Sequence, residues 1–156
     1  MSEVNPDILD DVATLTKIDN SSVDEIWASH LLEHFGRNQT TKILKRWHEV
    51  LKPGGIIRIS VPDFDKIVRR YIYTGDIEEV HGLLHAAQKN EYDIHYISFN
   101  FSYLKKCLEL AGFSNVGKFN ISDTDHWYVD DHSQSFLPHM DKLNGLEMSL
   151  NVYAQA

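Results

Sequence analysis

The sequence predicts an α/β layered domain, a shortened and mostly parallel sheet flanked by helices. Three observations predict it. Short β-branched runs alternate along the chain with stretches of helical period. One helix-length stretch stops at Lys52-Pro53-Gly54-Gly55 and passes at once into Ile56-Ile57-Arg58-Ile59-Ser60-Val61, which reads as helix, turn and strand. The chain has 156 residues, 42% of them hydrophobic, enough for one core and one domain, and no repeat or Gly/Ser-rich linker divides it.

The elements follow in order. Ile8-Leu9 reads as a short first strand, ended by Asp10-Asp11, and Asp19-Asn20-Ser21-Ser22 as a turn. Val23 to Ser29 is a strand. From Arg37 the period becomes helical, with Ile43, Leu44, Trp47, Val50 and Leu51 on one face. After the Ile56–Val61 strand, Pro62 stops pairing and Asp63 caps a helix whose stripe is Phe64, Ile67, Val68 and Tyr71. Ile77, Val80, Leu83, Leu84 and Ala87 mark the next helix. Residues 88–100 are polar and aromatic without period. Phe101, Leu104, Cys107, Leu108 and Ala111 restore a helix, closed by Gly112. Val116 to Phe119 is a short strand, residues 121–140 are irregular, and Met148 to Ala154 alternates as a last strand. In an open parallel sheet ligands sit beyond the carboxyl ends of the strands, so Ser29-His30, Pro62-Asp63 and Asp11 are expected at one rim.

Composition excludes several functions. Fifteen Lys and Arg against 23 Asp and Glu give a net charge of −8, which opposes nucleic-acid binding. Lys42-Lys45-Arg46 and Lys66-Arg69-Arg70 read as solvated helix faces. A single cysteine, Cys107, excludes an internal disulfide, and it falls on an apolar stripe. The start carries no secretory signal and no run reaches the roughly 18 apolar residues of a membrane span, so the expected address is the cytoplasm. His30/His34 and His81/His85 are spaced one helical turn apart but read as structural pairs. The loop with Asp123, Asp125, His126, Asp130, Asp131 and His132 reads as solvated, so no metal is expected. His95, between Asp93 and Tyr96, is the candidate general base, because an imidazole titrates near working pH and a carboxylate can orient it; a lid residue with no proton to move is the alternative.

Three segments carry a resemblance: Asp19 to Phe35 (DNSSVDEIWASHLLEHF), Leu44 to Pro62 (LKRWHEVLKPGGIIRISVP) and Leu104 to Val116 (LKKCLELAGFSNV). In order and spacing they resemble the class I S-adenosylmethionine-dependent methyltransferases. Tyr92-Asp93-Ile94-His95 and Glu147 to Ala154 resemble a subgroup of small members, some of which sit beside sugar pathways. The resemblance implies a Rossmann-like sheet and S-adenosylmethionine as cofactor. It also implies Asp11 at the adenine amino group, Val12 in a backbone contact to the ring, and Ser29 and His30 flanking the methionyl part. The family's opening strand, G-x-G turn and second strand ending in an acid do not occur before Val23; the first glycine is Gly36. The chain therefore reads as the carboxyl-terminal part of the family fold. Two functions stay open: methyl transfer to a small or sugar-like acceptor, or a non-catalytic binding or assembly module. Two partners are expected: a second copy, making a homodimer through the unpaired edge of the Val23–Ser29 strand, or a chain that supplies the missing half.

Overall fold

A computed structural model describes residues 5–125, 127, 134–139 and 141–156. Its main sheet has four strands: β1 (Val23–Ser29), β2 (Leu51–Pro62), β3 (Ser114–Lys118) and β6 (Ser149–Gln155), in the order β1-β2-β6-β3. β1 and β2 are parallel, and β6 pairs antiparallel with both β2 and β3. Three strands thus share one direction, and the last strand in sequence is inserted against them. Two short strands, β4 (Phe136–Leu137) and β5 (Leu146–Glu147), form a separate ladder.

Four α-helices complete the fold: α1 (Arg37–Val50), α2 (Phe64–Thr74), α3 (Ile77–His85) and α4 (Phe101–Ala111). α1 begins where the Gln39 side chain accepts from the Gly36 N–H, and ends before proline removes a donor. The Lys52–Gly55 turn sits as a bulge inside the β1–β2 register, between the pairs Val23↔Leu51 and Glu25↔Ile56. Gly54 takes φ +79°, which glycine adopts without strain, and the chain end clamps the turn through Gly54 N to Ala156 O, 2.9 Å. Asp63 and Asn100 cap α2 and α4 with their carboxylate and amide oxygens, and Gly112 ends α4 at φ +109°.

Alternation along the strands sets the layers. Ile57, Ile59 and Val61 of β2 and Leu150, Val152 and Ala154 of β6 are buried with Leu44 and Trp47 of α1 and Leu104 and Leu108 of α4. Ile67, Val80 and Met148 form a smaller cluster between α2, α3 and the start of β6.

Three expectations need correction. Ile8-Leu9 is not a strand: both residues are exposed and unpaired with the sheet, so Asp11 lies in a turn and not at a strand end. Of the α2 stripe only Ile67 is buried, because α2 packs on α3 and leaves Phe64, Val68 and Tyr71 well exposed. Ile77 of α3 is likewise exposed. In the basic clusters Lys42, Lys45 and Arg69 are exposed as expected, while Arg46 is tied to a loop, Lys66 to Glu147 and Arg70 to Glu79. Among the described residues, no helix is long and apolar enough to cross a membrane.

Candidate functional site

At the carboxyl end of β1 the chain turns sharply. His30 takes φ +48°, a left-handed conformation that costs a residue with a Cβ about 1–2 kcal/mol, and its N–H donates to Ser60 O of β2 at 2.8 Å. The turn aims the imidazole across the strand ends. His30 Nδ1 donates to Glu33 Oε1 at 3.1 Å, and its Nε2 accepts from Ser149 Oγ at 3.0 Å. Ser149 is held in turn by the Ser135 N–H and hydroxyl. Beside it Ser60, Gln134 and Asn151 close a buried hydrogen-bonded ring.

Glu33 is the centre of this rim. It lies in the 3-10 turn Leu32–His34 and is only 1% exposed. The Tyr96 N–H donates to its backbone oxygen at 2.9 Å, which brings the 88–98 segment over the strand ends. His95 arrives by that route. Its Nδ1 donates to Leu83 O at 3.0 Å, and its Nε2 stands 3.9 Å from Glu33 Oε1. His34 and His95 meet edge to face, with ring centroids 4.8 Å apart. Burial holds the His95 imidazole below its ordinary value, against the opposing pull of the Glu33 carboxylate.

A second feature lies along β1. Val12, Leu15 and Ile18 face Ile26, Ala28, Leu31 and Trp47 across an apolar hollow of about 230 Å³. Its outer wall is the loop 11–20, tied to α1 by two side chains. Trp47 Nε1 donates to Val12 O at 2.7 Å, and the Arg46 guanidinium donates to Thr14 O, Leu15 O and Ile18 O. Asp11 turns its own carboxylate inward on the Ala13 N–H.

The structure therefore brings His30 and His95 together on one carboxylate, and places Val12, with Asp11 next to it, at the hollow. Ser29 ends β1 opposite Ser60. The expected pairing of His95 with a neighbouring carboxylate is corrected: the Asp93 side chain accepts from the Lys89 N–H, and the carboxylate near His95 is Glu33. Glu33 was missed because a charged residue between leucine and histidine reads as surface; the signal available was its place inside the run Leu31-Leu32-Glu33-His34-Phe35. Cys107 is buried, and burial pushes its thiol up, as an inert core residue requires. Of the 121–140 loop, His126, Asp130, Asp131 and His132 fall outside the described residues.

Residues 3–59 match the methyltransferase domain family model. No curated protein matches. Solved structures do. An S-adenosylmethionine-dependent methyltransferase of Thermotoga maritima superposes with a TM-score of 0.58 at 14% identity, over 92% of this chain and 60% of that one. A second, from Archaeoglobus fulgidus, gives 0.56 at 16% identity, over 96% and 66%. A chain of the Haloferax volcanii complex between the Trm112 methyltransferase activator and a methyltransferase gives 0.55 at 15% identity, over 98% and 64%. The chain thus spans about two thirds or less of the length of these relatives. It has the fold of S-adenosylmethionine-dependent methyltransferases, and its residues 3–59 match a methyltransferase domain.

Proposed function

We propose that the chain works in methyl transfer from S-adenosylmethionine to a small or sugar-like acceptor, and that its 156 residues hold the acceptor side of the site. The observation that carries this is the rim where His30 and His95 converge on a buried Glu33 beyond the ends of β1 and β2, in a methyltransferase fold. When bound, the cofactor supplies an electrophilic methyl on a sulfonium. The residues present fit part of it. The apolar hollow at Val12, Leu31 and Trp47 suits a planar ring, and the family resemblance would put Asp11 at the amino group and Ser29 and His30 toward the methionyl part. No glycine-rich turn or ribose-binding acid is found among these residues ahead of β1.

His95 does the proton work in this reading. With Nδ1 committed to Leu83 O, Nε2 keeps its electron pair, and burial keeps the ring neutral at working pH. With the cofactor bound, His95 Nε2 would take the acceptor hydroxyl proton while the methyl carbon passes to the oxygen and its bond to sulfur breaks, leaving the thioether. The test is transfer of labelled methyl to hydroxylated acceptors by the chain purified with whatever polypeptide it retains. A base contributes about 10²–10⁴-fold, so His95→Ala should lower transfer by about that factor, and transfer indifferent to His95 refutes the role.

The edge position of β1 in the sheet supports a second reading, a non-catalytic assembly module. In both readings β1 is the surface for a partner. It pairs only with β2 among the described residues, which supports a homodimer across its outer edge or a chain that completes the sheet there, as an activator accompanies the Haloferax enzyme. Light scattering at concentrations on the order of tens of micromolar should give a dimer, and a monomer removes the homodimer.

A further inference from the structure

The rim holds more unsatisfied chemistry than a hydrogen-bonded cluster needs. Glu33 is 1% exposed, yet its Oε2 has no hydrogen-bond partner. Its Oε1 takes only the His30 Nδ1–H, which is neutral help for a buried charge. His34 Nδ1 is also buried and without a partner. His95 Nε2, its tautomer set by the bond from Nδ1 to Leu83 O, turns an electron pair toward the same carboxylate. Three side chains able to ligate a cation thus gather here, and among the described residues the ion pairs of Glu33 come from histidines, with no lysine or arginine among them.

We infer that Glu33, His34 and His95 form a binding site for one divalent first-row transition cation of the zinc class. Their three ligand atoms lie within 4.8 Å of one another, the only such group among the described residues. Two imidazole nitrogens and one carboxylate are the donor set that borderline cations prefer. Ligand atoms around zinc stand roughly 3.3 Å apart, so the group must contract by up to about 1.5 Å on loading. The surrounding bonds already do what outer partners of a metal site do: Leu83 O orients His95, and His30 occupies Oε1 so that Oε2 is left for the cation.

This inference goes beyond methyl transfer and does not rest on it.

The test uses zinc alone on the chelator-stripped 156-residue chain, by calorimetry and by imidazole-ring nuclear magnetic resonance. The expected result is one equivalent bound with Kd on the order of micromolar, and ring shifts at His34 and His95. Glu33→Gln and His95→Ala each weaken binding at least tenfold, and His81→Ala leaves it unchanged. If Glu33→Gln does not fold, the ring shifts of the unaltered protein and His95→Ala still decide. Three results overturn the site: no saturable binding up to about a millimolar, binding unchanged in the folded variants, or shifts confined to His81, His85, His126 and His132.

Discussion

Arg46→Ala is the substitution whose consequence follows most directly from the packing. The guanidinium donates to Thr14 O at 2.9 Å, Leu15 O at 2.9 Å and Ile18 O at 2.7 Å, and also reaches Asn20 Oδ1 and Glu49 Oε2. The bonds to Leu15 and Ile18 are partly buried; the others are exposed, and water replaces them on truncation. A hydrogen bond to a charged donor contributes about 1.5–3 kcal/mol when buried, so two half-buried ones give roughly 2–3 kcal/mol together. The exposed Glu49 pair adds little. For a chain of this size that lowers Tm by about 5–10 °C. Urea denaturation checks the magnitude, and hydrogen exchange checks the place, since amides of residues 11–20 should exchange faster while those of β2 and β6 do not. A loss below about 0.5 kcal/mol, or faster exchange spread over the sheet, refutes the claim that Arg46 holds the wall of the hollow.

Two further outcomes follow. At Gly55 an added Cβ would meet Lys52 O at 2.9 Å and Asp24 O at 3.1 Å, both backbone, so Gly55→Ala should cost about 1–3 kcal/mol in urea denaturation, and wild-type stability would contradict the turn geometry. His95 carries a pH dependence: its folded imidazole holds a proton less firmly than the unfolded one, whose value is near 6.5. The unfolded state therefore binds more protons in that window. The stability is whole above about 6.5 and declines as pH falls toward the depressed folded value. His95→Gln in the presence of chelator should flatten this slope, and an unchanged slope would remove the burial argument.

Much of the fold was legible because local rules and packing agreed. β1 occupies Val23–Ser29 as read, and α4 closes at the Gly112 that the sequence displays. Ile8-Leu9 misled because a strand needs a neighbour, and here the chain is held instead by side chains of α1. The antiparallel insertion of β6 between β2 and β3 has no local signature, since periodicity records burial and not strand order. The site was half legible. His30 was visible at a strand end and His95 as an imidazole beside Asp93, but the Glu33 that joins them is far from His95 in the chain, and the Tyr96 N–H bond to Glu33 O closes that distance.

The central claim is that cofactor and acceptor meet beyond the ends of β1 and β2. Backbone amide nuclear magnetic resonance during titration with S-adenosylmethionine tests it most directly, because it detects weak binding and maps it. Without the ribose acid and glycine turn several hydrogen bonds of about 1–3 kcal/mol each are missing, so affinity for the 156-residue chain alone should be weaker than about 100 µM. The shifts should concentrate at Asp11 to Leu15 and at Ser29 to Leu31. Shifts confined elsewhere, or none at millimolar cofactor, would contradict the account.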